Sequence, residues 1–378
     1  MTPEFVDSIH RVSANEWDAL STSDYPFTRH CFLAALEDSG SVGVDRGWQP
    51  HHLLLRDAAG TLCGAAPVYR KQHSYGEYVF DWGWAQAYEE HGLAYYPKLL
   101  CAIPFTPCTG PRLLAAGKAS ELMPELVAAL TNETETSGAS GWHGLFPDAG
   151  QSDALRDCGV TERLGCQFHW HNRGYRDFDH FLAQLNSRKR KTLRKERRQV
   201  SEQGFRFTHK TGHDITEDDW TLFYGLYQLT YLKRSGHGGY LTSDFFRALG
   251  EQLPEQTLMV QARLNGNVIA AALFLYDQTT LYGRYWGCRA EFEFLHFETC
   301  YYQGLDFAIE RGLTHFDGGA QGEHKLARGF EPQLTHSFHW LAEPAFQKAV
   351  QHFVDRERVD ILAYREDARA HLPYRQDD

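Results

Sequence analysis

Two parts of the chain repeat one order of apolar and polar positions. HHLLLRDAAGTLCGAAPVYRK (51–71) is an apolar run, a glycine-containing turn and a second apolar run, the pattern of a β-hairpin. The aromatic stretch YVFDWGW (78–84) follows it. HGLAYYPKLLCAI (91–103) then predicts a helix, and PFTPCTGPRLL (104–114) is rich in Pro and Gly. Later, TLMVQARLNGNVIAAALFLYD (257–277) again predicts strand, Asn-Gly turn, strand, and TLYGRYWG (280–287) an aromatic strand. HFETCYYQGLDFAIERGL (296–313) carries apolar residues at helical spacing and ends on Gly312. THFDGGAQGEHKLARGF (314–330) is a short strand running into a glycine-rich loop. The matching order predicts a duplication. A chain of 378 residues also exceeds one ordinary core, so two domains are expected, 1–160 and 161–378.

SRKRKTLRKERRQV (187–200) interrupts this pattern with charge. Eight of the eleven residues from Arg188 to Arg198 are Lys or Arg, and Glu196 is the one acid. The segment carries +7 in a chain of net charge −11. FDHFLAQL (178–185) predicts a short helix before it. Ser187 suits the N-cap of a second helix running to about Gln203, with Gly204 as its C′ residue. Arg188, Lys189, Arg190 and Lys191 then occupy the positive end of the helix dipole. Arg190–Arg194 and Lys191–Lys195 repel at i,i+4, and the terms together cost about 1–2 kcal/mol. A bound phosphate reverses each of them, so this helix is a candidate phosphate site. The alternative is a solvated helix neutralised by the acidic surface.

Composition narrows the class. With 42 % hydrophobic and 23 % charged residues the chain is globular. No apolar run is long enough to span a membrane, and MTPEFVDSIHRVS is not a secretory signal. The eight cysteines are scattered without CxxC or Cys/His spacing, so neither a disulfide frame nor a metal site is expected, and a reducing cytoplasm is the default. Overall acidity argues against coating DNA but allows one local anion site.

LNSRKRKTLRKERRQVSEQGFRF, HFETCYYQGLDFAIERGLTHFDGG and GEHKLARGF resemble segments of the second domain of Fem-type aminoacyltransferases. YPFTRHCFLAALEDSGSV, GEYVFDWGWAQAY, YYPKLL, PFTPCTGPRLL, LYGRYWG and FDGGAQGEHKLARGF are similar to the FemAB-like predicted N-acyltransferase family, over roughly residues 20–345. The resemblance implies an α+β (mixed α/β) fold with tandem duplicated GNAT-like domains, each a mixed central sheet flanked by helices. It also implies transfer of an acyl or aminoacyl group to an amine. Fem-type enzymes take amino acids from charged tRNA and attach them to peptidoglycan precursors, whereas ordinary GNAT enzymes use acyl-CoA. The sequence lacks the R/Q-x-x-G-x-G/A loop that holds the CoA pyrophosphate, RLNGN (263–267) being a hairpin turn. It also lacks a long charged coiled-coil insertion, which leaves tRNA contact to the cationic helix. No permanently bound cofactor is implied. The co-substrate is acyl-CoA or aminoacyl-tRNA and the partner a small-molecule or peptide amine.

Acyl transfer needs a proton acceptor, donors for the oxyanion and two aligned substrates. No G-x-S-x-G elbow or Cys/His signature points to a covalent route. His296 and Glu298 at the start of the second helix, and Asp317 at the end of the short strand, are candidate bases. Their alternatives are a surface group, a dipole partner and a turn-former. In the loop, Gly318, Gly319 and Gly322 free the backbone. Gln321, Glu323, His324, Lys325 and Arg328 supply donors and acceptors, with His324 or Lys325 placed for an oxyanion or phosphate. Donor binding falls to Arg188, Lys189, Arg190, Lys191, Arg194, Lys195, the three glycines, Gln321 and Arg328. On the acceptor side, Glu77, Asp81, Trp82, Trp84, Tyr88, Tyr95, Tyr96 and Lys98 form an acidic and aromatic set that can line a cleft between the domains. Thr106, Thr109 and Arg112 in the Pro/Gly loop, and His143, join them. The tryptophans read equally as core. His51–His52 and His169-Trp-His171 read as structural. Residues 346–378 read as a polar tail. The rival classes are an RNA binder without catalysis, whose affinity would fall steeply with salt, and a peptidoglycan-recognition module.

Overall fold

The computed structural model describes residues 1–320 and 322–375. The chain forms two compact units. The first joins Met1–Cys166 to Leu334–Ala363, and the second joins Gln167–Gln333 to the segment from Tyr364. The expected division, 1–160 and 161–378, differs because residues after Gln333 return to the first unit.

In the first unit, β1 (Thr2–Val6), β3 (His52–Arg56) and β4 (Leu62–Ala66) form a small antiparallel sheet, in which β3 and β4 are the predicted hairpin. A second sheet runs β2 (Trp48–Pro50), β5 (Val68–Lys71), β6 (Lys98–Cys101), β7 (Gly141–Leu145) and the later part of β14 (Glu331–Leu341). β5 and β6 are antiparallel, β6 and β7 parallel, β7 and β14 antiparallel. The helix Ala119–Ser137 joins β6 to β7 and covers them with Met123, Leu126 and Leu130 against Leu99 and Trp142.

One expectation fails here. Residues 91–103 are not helical: Pro97 removes a donor inside the run, and Lys98–Cys101 instead pair with Val68–Lys71. The aromatic run 78–84 leads into a helix, Trp82–Glu90. Asp81 sits at its N-cap yet makes no cap hydrogen bond, because its carboxylate is taken by Lys98.

In the second unit the sheet runs from the end of β8 (Thr161–His171) through β13 (His315–Asp317), β12 (Thr280–Cys288), β11 (Asn267–Tyr276) and β10 (Thr257–Leu264) to β9 (Arg206–Thr211). β10 and β11 are the predicted hairpin, with Asn265 at φ 50° and Gly266 at φ 79° giving the turn its left-handed residues. β11 and β12 are antiparallel, β12 and β13 parallel, β13 and β8 antiparallel. The first unit shows the same antiparallel–parallel–antiparallel order, so the duplication holds as two units of α+β class. The repeat is offset from the one read in the sequence: the helix matching 295–310 is Ala119–Ser137, not 91–103.

The expected second-half helix is one helical segment, Leu295–Phe297, a π-helical turn Glu298–Tyr302, and Gln303–Glu310. Gly304 lets it approach the sheet, since a Cβ there would lie 2.7 Å from the Phe316 ring. Tyr302, Leu305 and Ala308 pack on Phe274, Phe316 and Trp170. The cationic helix spans Ser187–Glu202. Its N-cap is Asn186, which accepts from the Lys189 amide at 3.0 Å, so Ser187 is the first helical residue rather than the cap. Gly204, at φ 91°, follows its end as expected. The region read as a polar tail contains a helix, Pro344–Ala370. Its Val350 and Val354 pack with Trp84 and Tyr88 in the first unit. Among the described residues no helix is long and apolar enough to cross a membrane.

The helix Glu217–Ser235 lies on β12 at backbone distance: a Cβ on Gly287 would fall 2.3 Å from the Leu226 carbonyl. Neither partner is a flexible side chain, so Gly287→Ala should destabilise by about 1–3 kcal/mol, the range of core overpacking. Chemical denaturation of the two proteins reads this directly.

Candidate active site

β12 and β13 pair for three rungs, the last being Tyr282 with Asp317. Beyond it β12 bulges, with Tyr285 opposite Leu273 and Gly283 opposite Phe274. The chain leaving β13 turns away through Gly318 and Gly319, the latter at φ 85°. The strands part, and Asp317 stands where they separate. The residue is 2 % exposed. Oδ1 accepts from the Gly319 amide at 2.8 Å, while the buried Oδ2 has no hydrogen-bond partner. On the neighbouring strand His169 places Nε2 3.6 Å from Asp317 Oδ1 and 3.2 Å from Gln167 Oε1. Burial pulls the His169 pKa down against the attraction of Asp317. Lys325, also buried, donates to the Gly319 carbonyl at 2.6 Å, so its amine lies under the glycine turn. A Cβ on Gly318 would meet the Lys325 stem at 3.2 Å. One turn therefore collects a carboxylate with a spare acceptor, an imidazole and an amine.

A second layer surrounds the loop. His324 Nε2 is 2.9 Å from the Tyr301 hydroxyl, and the Trp286 and His296 rings pack 5.2 Å apart. Burial, then His324, Arg234, Arg328 and Lys325, pull His296 down to about 4. Burial, Arg328 and Lys325 do the same to His324, to about 4. Burial, the larger cause, thus keeps both imidazoles neutral near pH 7. Glu298 is committed: its carboxylate accepts from Arg197 at 3.0 Å and from Gln303 at 2.7 Å, and Arg197 also reaches Asp306 at 2.6 Å. Burial raises the Glu298 pKa even so. Arg328 is buried and paired with Glu196 at 2.8 Å. Gly322 takes φ 118°. Gln321 lies outside the described residues.

The cationic helix divides by face. Leu193, Glu196 and Val200 point inward. Arg194 pairs with Asp179 at 2.8 Å. Among the described residues Arg188, Lys189, Arg190, Lys191 and Lys195 form no ion pair, and Arg188, Lys191 and Lys195 are exposed.

The first-unit candidates gather differently. Lys71 and Lys98 sit directly opposite each other on β5 and β6, both fully buried. Two buried ammonium groups in one rung require acids. Glu77 reaches Lys98 at 2.7 Å and Lys71 at 3.8 Å, and Asp81 also bonds Lys98. Burial pulls Lys71 down to about 6 and pushes Glu77 up to about 7. Burial would raise Asp81, but Lys98 and His143 outweigh it and hold it at about 2. From Asp81 a chain of hydrogen bonds runs inward. The Tyr95 hydroxyl donates to Asp81 at 2.7 Å, so its oxygen can only accept from His143 Nε2, 3.4 Å away. His143 Nδ1 must then accept from His339 Nδ1 at 2.7 Å, and His339 Nε2 from Ser337 Oγ at 2.9 Å. Trp84 closes the end, edge-on to His339 at 4.8 Å.

These groups are sealed into the first unit's core. Of the remaining acceptor candidates, Trp82 is exposed, and Tyr96 shares a 2.8 Å hydrogen bond with Ser74. Thr106 donates to Pro104 within its own loop at 2.9 Å, and Thr109 is half-buried. Arg112 gives its guanidinium to the carbonyls of Leu145, Cys108, Gly110 and Pro111, so it organises the loop that carries it.

Sequence reading missed His169, Glu196, Arg197 and Tyr301. His169 reads as structural in the sequence; its companion Asp317 lies 148 positions away, supplied by strand pairing. The only signal for Glu196 was its being the lone acid in a cationic run.

The chain matches, over residues 8–376, a family model described as FemAB-like, peptidoglycan biosynthesis/recognition. A search of curated proteins finds no match. Among solved structures the fold is similar to that of FemX, with 13 % identity, 93 % of this chain and 100 % of that chain covered, and a TM-score of 0.55. It is also similar to a C-terminal domain from Agrobacterium fabrum assigned to a lysylphosphatidylglycerol synthetase, at 10 % identity, 92 % and 96 % coverage and a TM-score of 0.54. A conserved protein of unknown function from Bacteroides thetaiotaomicron gives 12 % identity, 89 % and 99 % coverage and a TM-score of 0.51. At these identities the likeness is one of fold.

The buried His143–His339 pair sets a pH dependence. Burial lowers the His143 pKa from 6.5 to about 3. Between those values the unfolded chain binds a proton that the folded chain refuses, so stability falls as pH drops through the window. Comparing denaturation of wild type with His143→Gln from pH 7 to 4 should show the variant losing about 1.4 kcal/mol per pH unit of that slope.

Proposed function

The chain belongs to the FemAB-like family, and from that premise we propose that it is an N-acyltransferase whose reaction occurs at the end of β13 in the second unit. The observation that carries the reading is Asp317, a buried carboxylate with one oxygen free of hydrogen bonds, beside His169 and the glycine turn over Lys325. In direct transfer an amine nitrogen attacks the acyl carbon of an ester or thioester. A C–N bond forms, and the bond to the donor's oxygen or sulfur breaks. Asp317, with His169 beside it, takes the proton the amine sheds. Lys325, under the glycine turn, faces the oxygen that gains charge. The proton held by Asp317 passes to the leaving oxygen or sulfur, which departs as a neutral hydroxyl or thiol and restores the carboxylate.

The cationic helix supports a phosphate-bearing donor. Its unpaired cations Arg188, Lys191 and Lys195 recur at three- and four-residue spacing along one exposed stripe. Aminoacyl-tRNA fits such a stripe better than CoA, because a phosphodiester backbone engages several cations at once. The acceptor is an amine, which the family's link to peptidoglycan biosynthesis makes a peptide amine.

Amide formation should be assayed with bulk aminoacylated tRNA and with acetyl-CoA as donors and a peptidoglycan-type peptide amine as acceptor. Asp317→Asn and Lys325→Ala should each lower turnover by about 100-fold or more, with the fold retained. Transfer unchanged in both variants would sink the assignment of this loop. A salt series of tRNA binding should lose about two to three units of its log–log slope in the Arg188/Lys191/Lys195→Ala variant. RNA binding with no turnover from either donor would favour a binding protein instead.

A further inference from the structure

Glu196 is the one acid among eight cations, and its place in the helix denies it a partner there. The positions three and four residues away are Thr192, Leu193, Gln199 and Val200. Its charge is directed inward instead, and it is 7 % exposed. Oε2 accepts from Arg328 Nη2 at 2.8 Å and from the Tyr302 hydroxyl. The Arg328 guanidinium is 3.4 Å over the Phe297 ring, and its other arm donates to the His324 carbonyl at 2.7 Å. One planar group thus ties the cationic helix to the short 3-10 turn Glu323–Arg328 that contains Lys325.

Both ends of this tie are fixed. Arg197, next to Glu196, fastens the helix to Glu298 and Asp306. Beyond the turn, the Tyr374 hydroxyl donates to the Gly329 carbonyl at 2.6 Å. Neither partner of the Glu196–Arg328 pair can leave alone at low cost, since each would strand a buried charge.

We propose that Glu196 is a positioning residue that holds Lys325 in place through Arg328. The proposal rests on the reading of loop 317–328 as the reacting loop. It makes the helix that receives the donor and the turn that faces the reacting carbonyl one rigid piece. Arg328 acts on the chemistry only through this tie, and Glu196 touches no reacting atom.

The test is pulse acetylation of the full chain by an N-hydroxysuccinimide ester, with the modification of Lys325 read by mass spectrometry against exposed Lys118. In wild type the buried Lys325 should react slowly. In Glu196→Gln it should react about tenfold faster or more, a population change equivalent to ~1.4 kcal/mol, while Lys118 is unchanged and unfolding stays cooperative. Tyr302→Phe, which removes the other partner of Glu196 and leaves Arg328 paired, should label as wild type. If Glu196→Gln fails to fold, Arg328→Lys replaces it and must show the same rise. Wild-type labelling of Lys325 in Glu196→Gln, or equal labelling in Tyr302→Phe, would overturn the proposal. Where transfer is measurable, kcat should fall about tenfold with KM unchanged, and a labelling rise with both constants unchanged would overturn it too. A chain that transfers nothing defeats the acyltransferase reading, while the labelling still judges the tie.

Discussion

The parallel pairing of β12 and β13 lasts three residues, and Asp317 stands where it stops. A parallel strand that ends inside a sheet leaves backbone groups without a ladder partner. Here the bulge in β12 and the glycine turn after Asp317 lie at that end of the ladder. The Gly319 amide, freed from the ladder, binds Asp317 itself. His169 arrives from the other side because β8 pairs antiparallel with β13, and that register sets His169 opposite Asp317. The helix 295–310 approaches closely enough to bring Tyr301 near the loop because Gly304 lets Phe316 fill the space between helix and strand.

Charge is handled by the same economy throughout. The protein buries many ions, and nearly every one is placed against an opposite charge or a set of carbonyls. Lys98 has Glu77 and Asp81, Arg328 has Glu196, Arg197 has Glu298 and Asp306, and Arg112 has its own loop. A buried ion pair adds little net stability over apolar packing, yet losing one partner is costly. Such pairs therefore fix geometry more than they stabilise. Against that background the cations Arg188, Lys191 and Lys195 on the outer face of the 187–202 helix stand apart, since among the described residues they form no ion pair.

The two units place titratable groups at comparable rungs and treat them differently. In the second unit the pair is Asp317 and His169, next to a loop freed by glycines. In the first it is His143 and His339, joined into a chain of hydrogen bonds with one consistent direction and closed by Trp84. The first unit's acids and lysines are thus set against each other in ion pairs.

The sequence by itself determined the family, the duplication, the hairpins at 52–66 and 257–276, the helix 295–310, the cationic helix and the loop 317–328. Each is written in local signals: period-2 or helical spacing, an Asn-Gly turn, a charge run, clustered glycines. Local signals failed where long-range contacts decide. Residues 98–101 are a strand because β5 lies beside them, and 344–370 are helical because Val350 and Val354 have a core to face. The partners of the candidate site residues likewise come from tertiary structure. Glu298 carried the right chemistry for a base, but Arg197, a hundred residues earlier, claims it. His169 looked idle until strand register brought it to Asp317. Residue type and spacing state what a side chain can do, while the partner that uses or frees it comes from a part of the chain that no local pattern reaches.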